Sequence, residues 1–515
     1  MNMEKKLREL LKQADLDYKK RFGNDKEITR DFFRPYLARA DISEHEITEI
    51  WGSFSNFKQT LSYKRQDISI VKNDADKSGK RRYFITSFVV GAKINTNCFK
   101  TVQTFCKKEN AQLILIIIRG VEIKQQIEKK EYDNFKECFA TEYFLNENLV
   151  AKDFYIDPQQ IDPTTGINRY GNKTYSVIIG SPKQILKPVP SKHGEFPHLI
   201  YSTGTICDVE YKKSKTGVMA EQDEQKGGLI VEIENHKFFH IRNVQFDNGG
   251  GFCDLNKYYQ CKKVKKIKTA SIIWGDIHYG MEDKTAESAS EEMSGLLNVE
   301  KIVIHDLFNA ASVMRHNRKD MISRLHRENY EKILKLELDY VGHKLHALSQ
   351  KFKKSTIYIV SSNHDRHLND YLSRGEWIED ENNFVLACEL FLELYKDKNP
   401  IEYYIRKNFK IDNVVFLKQE ENLIIGGFQC AKHGDQGNTG AKGNIKSLEI
   451  AFPCSVIGNY HAPAIYRQIY QVGCLCKLDP EYTIGYASAS MHANCIIHKN
   501  KTRQMILIIN GKYKI

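Results

Sequence analysis

Five short stretches of the chain hold side chains suited to metal chemistry. They read GDIHYG, with Asp276 and His278; HDLFN, with Asp306 and Asn309; SNHDRH, with Asn363, His364 and Asp365; KHGDQG, with His433; and GNYHAP, with Asn459 and His461. Mixed oxygen and imidazole donors suit Mn, Fe or Zn, whereas Mg and Ca favour shells of oxygen alone. No cysteine lies in these stretches, which argues against a purely structural zinc site. In D-x-H at the end of an extended strand both side chains face one way, so Asp276 and His278 could share an ion. An aspartate has two oxygens, so Asp306 could bridge two ions about 3.5–4 Å apart, the separation that clamps an in-line phosphoryl displacement. Each stretch alone has a plainer reading as a helix cap, a turn or a hydrogen-bonded core histidine.

The elements that must position these residues are apolar runs. Each stretch follows one: ASIIW (270–274), KIVIH (301–305), TIYIV (356–360), NLIIGGFQCA (422–431) and FPCSVIG (452–458). These runs predict buried strands, and a long helical stretch over roughly 319–353 lies between the second and third. Continuous apolar strands alternating with helices predict sheets covered on their faces. Ligands in open α/β sheets gather beyond the carboxyl ends of strands. Here all five runs end in Asp, His or Asn, and five in order point away from coincidence.

The first half has a different texture. Residues 3–22 put Leu7, Leu10, Leu11, Ala14 and Tyr18 on one helical stripe. ITRDFFRPYLARA predicts a second helix, and Ser43 with Glu46 a capping box for a third. The choice there lies between a helix-turn-helix and a small packing bundle. From about residue 82, RYFITSFVVGA, NCFKTVQTFCKKENA and QLILIIIRG predict a strand, helix and strand. Many short β-rich runs follow over 125–262. The expected organisation is therefore a helical region, 1–80; a mixed α/β accessory region, 81–268, that contacts DNA; and a catalytic α/β domain, 269–515.

Bulk properties bound the partners. At 515 residues the chain exceeds one hydrophobic core. Its formal net charge of +12 favours polyanions, because neutralising phosphates releases counterions. NKYYQCKKVKKIK (256–268) concentrates lysines, including Lys262, Lys263, Lys265 and Lys266, as a candidate nucleic-acid surface or the solvent face of an edge strand. The apolar run Leu113 to Ile118 is far shorter than the roughly 20 residues of a membrane helix. MNMEKKLREL has no apolar core of a secretion signal, which predicts a cytoplasmic protein. Twelve cysteines without a disulfide rhythm, Cys474 and Cys476 forming a lone C-x-C, predict free thiols. Oligomerisation has no signature in the sequence.

The order D-x-H, D-x-x-N, N-H-D, H-G and G-x-x-H resembles the calcineurin-like metallophosphoesterases, including the Mre11-type nucleases, over about residues 269–515. The resemblance implies an α/β sandwich with a dinuclear metal centre. Asp276, His278, Asp306, Asn363, His433 and His461 would be metal ligands. His364, with Asp365 beside it, would be catalytic, stabilising the transition state or protonating the leaving oxygen. The chain departs from the pattern at three positions. His305 stands for the glycine before the bridging aspartate, Ser362 for the glycine of G-N-H-D, and Asn459 for a second-metal histidine. An amide at 459 would ligate more weakly and with harder character, which favours Mn or Mg there.

The preceding half, in IIGSPKQIL, YSTGTICDVEY, GGLIVEIE and FHIRNVQFDNGGGFCDL, resembles large bacteriophage proteins that carry such a domain at the C-terminus. The pre-early phage proteins that degrade host DNA are among them. HGDQGNTGAKGN (433–444) also resembles their loop, and its glycines would let backbone N–H groups approach a phosphate. The expectation is a metal-dependent DNase with two divalent ions, Mn foremost and Mg, Fe or Zn as the others, acting in the host cytoplasm if phage-encoded. The alternatives are a phosphoesterase for small or protein substrates and a non-catalytic DNA-binding or scaffold protein with a degenerate site.

Overall fold

The computed structural model describes residues 3–22, 29–40, 42–43, 47, 81–118, 138–140, 142–171, 175–192, 197–319, 325, 331–478 and 486–515. Glu46 of the expected capping box lies outside the described residues, as does most of 320–330 within the expected long helical stretch. The chain divides into two compact units, Met1–Val71 with Arg119–Lys136, and Lys72–Ile118 with Glu137–Ile515.

In the smaller unit the expected helical stripe is present. The helices Met3–Phe22 and Arg30–Arg39 bury Leu7, Leu11 and Ala14 with Phe33 and Leu37. Thr29 caps the second helix by accepting the Phe32 N–H, and Tyr36 donates its hydroxyl to Asp17 at 2.7 Å.

The larger unit is an α/β sandwich of two mixed sheets. The eleven-stranded sheet runs Val414–Phe416, Thr356–Ile359, Lys301–Ile304, Thr269–Ile273, His492–His498, Arg503–Ile508, Phe239–Gln245, Gly227–Ile233, Arg82–Val89, Gln112–Ile118, Phe139–Ala140. Its first four strands are parallel, in register Ser271 to Lys301, Ile302 to Ile357 and Ile357 to Val414. The ten-stranded sheet includes Phe428–Gln429, Ser455–Ile457, Ile469–Gln471 and Ala464–Tyr466 beside Leu186–Val189, His198–Ser202 and Ser176–Ile179.

The burial of these strands follows from alternation of side chains across a sheet. Ile302 and Ile304 join Ile272 and Ile357 against helices Lys284–Leu297, Leu334–Lys351 and Phe384–Tyr395, through Met293, Leu338, Leu345 and Leu390. Val303 points the other way, with Ile273 and Cys495, towards Val456, Tyr470 and Ala431 of the second sheet. Thr269–Ile273 and Lys301–Ile304 are thus buried on both faces, which accounts for their unbroken apolar runs.

The strand–helix–strand unit is present as Arg82–Val89, Thr96–Lys108 and Gln112–Ile118, with parallel strands and Asn95 as the helix N-cap. NLIIGGFQCA differs from the single strand expected. Gly426 and Gly427, at φ 59° and 91°, turn it into a hairpin of Ile424–Ile425 and Phe428–Gln429.

Strands from before and after residue 268 share both sheets. Phe239–Gln245 pairs with Arg503–Ile508 through Arg242 and Ile506, and Leu186–Val189 pairs with Ala464–Tyr466 through Leu186 and Ile465. The motifs IIGSPKQIL and FDNGGGFCDL serve this framework. Gln184 donates to the carbonyls of Thr203, Gly228 and Val244, and Asp247 accepts from the N–H groups of Gly249 and Gly251. Among the described residues no helix is long and apolar enough to cross a membrane.

Candidate metal centre

Five strand ends converge on one place. Asp276 and His278 follow Thr269–Ile273, and Asp306 follows Lys301–Ile304. Asn363 and His364 open the helix Asn363–Ser373 after the strand Thr356–Ile359. His433 follows Phe428–Gln429, and Asn459 and His461 follow Ser455–Ile457.

The local backbone departs from the extended form assumed for D-x-H. His278, Asp306, Asn459 and His461 all lie in the left-handed region, at φ 47°, 44°, 75° and 56°. Non-glycine residues avoid this region, at a cost on the order of 1–3 kcal/mol each for sparsely populated conformations. Their concentration here means the surrounding framework enforces the turns. Asp276 and His278 both reach His461 because the chain bends after the strand, not because alternation puts them on one face.

The side chains form a continuous cluster. His278 Nε2 lies 3.1 Å from His461 Nε2 and 3.5 Å from Asp306 Oδ2. His461 Nε2 is 3.6 Å from Asp276 Oδ2. On the other side of Asp306, His433 Nε2 is 3.0 Å from Oδ2, and His433 Nδ1 is 4.0 Å from Asp276 Oδ1. Both imidazoles thus approach the same oxygen of Asp306, Oδ2, while Oδ1 has no hydrogen-bond partner. The His364 ring stands 4.5 Å from that of His278, centroid to centroid. Asp276, His278, Asp306 and His433 are all buried.

This donor set fits divalent ions. Buried side-chain atoms without a hydrogen-bond partner include both oxygens of Asp276, Oδ1 of Asp306 and Oδ1 of Asn363. A buried polar atom left unpaired costs about 1–3 kcal/mol, and more when charged. Several in one cluster of carboxylate, amide and imidazole donors match cation ligation. Four overlapping groups of three potential ligands occur among the described residues: Asp276–Asp306–His461, His278–Asp306–His364, Asp276–His305–His433 and His278–His461–Cys476.

The electrostatics of the metal-free protein agree. Burial raises the Asp276 carboxyl to about 7. Burial also works against ionised Asp306, but His433, His278 and His364 together hold it well below the usual carboxylate range. Burial opposes charge on His433 and His461, yet the facing Asp306 and Asp276 on the one, and Cys476 and Asp276 on the other, lift each to about 9.

Three expected residues deserve separate placement. Asp365 is engaged locally: its Oδ2 accepts the Ser362 N–H at 3.1 Å, while Ser362 Oγ accepts the Asp365 N–H, closing a capping box. Ser362, rather than Asn363, is thus the helix cap, and the buried Asn363 amide oxygen has no hydrogen-bond partner. Asn459 precedes His461 by two residues and shares its left-handed backbone. His364 turns Nδ1 to the Asn309 carbonyl at 2.8 Å.

The glycine-rich loop spends its donors internally. Gly437, Gly440 and Gly443 N–H groups donate to the carbonyls of Ala441, Gly437 and Asp435, and Asp435 pairs with Arg366. Of the lysine group, Lys263–Lys266 forms an exposed outer strand of a three-stranded sheet. Lys262 sits in the turn before it, φ 68°. Tyr258 and Tyr259 are tied to Asp247 and Glu109, so they support this strand from behind.

Two residues at the centre escaped the motif reading. His305, fully buried, has Nδ1 3.4 Å from His433 Nδ1, and Cys476 has Sγ 3.9 Å from His461 Nδ1. The signal for the first was its place beside Asp306. For the second it was the C-x-C, whose thiols are indeed in no disulfide.

The fold and the cluster define an α/β protein with a carboxylate–imidazole site at the carboxyl ends of its strands. The chain is similar to Protein A1 of Escherichia phage T5, 29% identical over 364 residues, which cover 65% of this chain and 64% of that protein. The match thus spans a little under two thirds of that relative's length. Among solved structures, the crystal structure of Pseudomonas putida nuclease MPE is 13% identical, with 50% of this chain and 98% of that chain covered at a TM-score of 0.22. A TM-score this low offers no superposition to argue from. No family model matches the chain.

Proposed function

We propose that the protein is a metal-dependent nuclease that hydrolyses DNA phosphodiester bonds, in the setting of host DNA degradation by a phage. The observation that carries the reading is Asp306, buried with His278 and His433 at its Oδ2 and with the unpartnered oxygens of Asp276 in the same cluster. Asp276, His278, Asp306, Asn363, His433 and His461 would hold two divalent ions, with Asn459 as a weaker donor. Bound ions of this kind supply an acidified water as nucleophile and offset charge on the phosphate. Mn is favoured by the mixed donor set, with Mg, Fe and Zn as the other candidates.

The chain's own residues do the rest. With Nδ1 held by the Asn309 carbonyl, His364 presents Nε2 as the group that can donate to a phosphoryl or leaving oxygen. Burial lowers competition from water around Asp276 and Asp306, strengthening each charge interaction. The net charge of +12 and the exposed strand Lys263–Lys266 favour a polyanionic substrate. The similarity to a phage protein supports the setting.

Incubation with linear and circular DNA across a panel of divalent ions tests the reading. Cleavage with Mn and none with chelator is expected. Ready turnover of a small chromogenic phosphodiester with both DNAs left intact at low salt would replace it with a small-substrate phosphoesterase. Absence of bound metal would replace it with a non-catalytic binding protein.

A further inference from the structure

Three histidines of the cluster each have a neighbour at Nδ1. His364 meets the Asn309 carbonyl at 2.8 Å, His433 meets His305 Nδ1 at 3.4 Å, and His461 meets Cys476 Sγ at 3.9 Å. The first two partners are familiar imidazole acceptors, a carbonyl oxygen and a ring nitrogen. The third is sulfur, and it lies on a residue outside every motif of the site.

The framework around Cys476 is closed. Its thiol-bearing segment runs beside the first strand end, with Asp276 bridged to Cys474 and Glu282 to Cys476. Leu475 donates to the Asp276 carbonyl at 2.7 Å and accepts from the Asp283 N–H at 2.8 Å. The Cys476 carbonyl accepts from His492 Nε2 at 2.9 Å. The side chain is buried, so the sulfur is held where it stands. Meanwhile the opposite nitrogen of His461 is the one within 3.1 Å of His278 Nε2 and 3.6 Å of Asp276 Oδ2.

We infer that Cys476 is a positioning residue: its sulfur accepts the Nδ1–H of His461 and so fixes the tautomer that offers the Nε2 lone pair to the metal centre. A metal-bound histidine characteristically donates its other N–H to a fixed acceptor, which sets ring orientation and basicity. Here a buried thiol sulfur takes the place of the usual oxygen. The inference rests on the metal-centre reading of Asp276, His278 and His461. Its rival is direct ligation, since single donor atoms of His278, His461 and Cys476 lie within 4.8 Å of one another. The sulfur faces Nδ1, the edge of the ring away from those ligand contacts, which favours positioning over ligation.

The test is metal binding and cobalt spectroscopy on the full chain. Equilibrium dialysis against Mn2+ is expected to show two ions on the wild type. Cys476→Ala and the bulkier apolar Cys476→Val should each weaken one ion by about 10–100-fold, the usual effect of removing such a partner. Cys476→Ser, which keeps an acceptor, should restore most of that loss, whereas a packing role would make Val the better substitute. The Co2+-loaded wild type should lack a sulfur-to-cobalt charge-transfer band. A band that disappears in Cys476→Ala makes the sulfur a ligand and overturns the inference. That wild-type spectrum decides the point even if the variants fail to fold. Equal affinity in the wild type, Ala and Val proteins also overturns it, while leaving the metal-centre reading intact. No bound ion on the wild type overturns both.

Discussion

His278 is tied to Asp306 twice. Its backbone N–H donates to the Asp306 carbonyl at 2.8 Å, and its Nε2 stands 3.5 Å from Oδ2 of the same residue. Both residues are left-handed, so the two parallel strands that carry them turn together and bring carboxylate and imidazole into one plane of contact. Loss of the Asp306 side chain would remove the shared partner of His278 and His433 while leaving the backbone tie in place.

A separation of roles follows for Asp306 and His364. Asp306→Ala should abolish cleavage and strip bound metal, because one carboxylate faces both imidazole groups. His364→Ala should abolish cleavage while metal content and DNA affinity stay near those of the wild type. Metal analysis and a filter-binding titration check this; metal loss in the His364 variant would make that residue a ligand instead.

Metal uptake should release protons. In the metal-free protein His433 and His461 each titrate at about 9, so both are protonated at pH 7 and must become neutral to ligate. Affinity is therefore full above about 9 and declines as pH falls through that value. Below about 7 the Asp276 carboxyl, raised by burial, takes up a further proton and steepens the loss. Calorimetry of Mn2+ binding at pH 7 in two buffers of different ionisation enthalpy should show this release. Identical apparent enthalpies would contradict it.

Gly458 has no room for a side chain. A Cβ there would lie 2.3 Å from Asp276 Oδ1 and 3.0 Å from His305 Cβ. Gly458→Ala should displace Asp276, lowering metal affinity by at least tenfold. Small-to-large changes in packed sites typically cost about 1–3 kcal/mol, so the melting temperature should fall by several degrees with the protein still folded. Unaltered metal affinity would show that the Asp276 carboxylate is not held where Gly458 admits it.

The exposed lysine strand gives a salt-dependence test. Replacing Lys262, Lys263, Lys265 and Lys266 with Gln should flatten the slope of log affinity against log salt by about 0.9 for each phosphate contacted on duplex DNA. Turnover of a small phosphodiester should not change. An unchanged slope would return these lysines to the role of a solvated strand edge.

The candidate cluster was legible in the sequence because its parts are local. Each of the five polar stretches sits within a few residues of an apolar run, and a buried strand followed by polar side chains is a pattern that one pass along the chain reveals. The same locality made the helix Met3–Phe22 and the unit of Arg82–Val89, Thr96–Lys108 and Gln112–Ile118 readable from periodicity. Ser362 as helix cap was less evident, since Asn363 and Asp365 have equal propensity and only the backbone geometry chooses among them.

By itself the sequence determined the order and chemical type of the donors, and the strands that deliver them, because side-chain chemistry and hydrophobic period are properties of neighbouring residues. Tertiary structure alone decided that Thr269–Ile273 lies between Lys301–Ile304 and His492–His498, and that strands preceding residue 268 complete both sheets. It also decided that His305 and Cys476 neighbour Nδ1 of His433 and of His461. Strand order and outer partners depend on which distant surfaces exclude water together, a choice made by packing across the whole unit and carried by no local stretch of the chain.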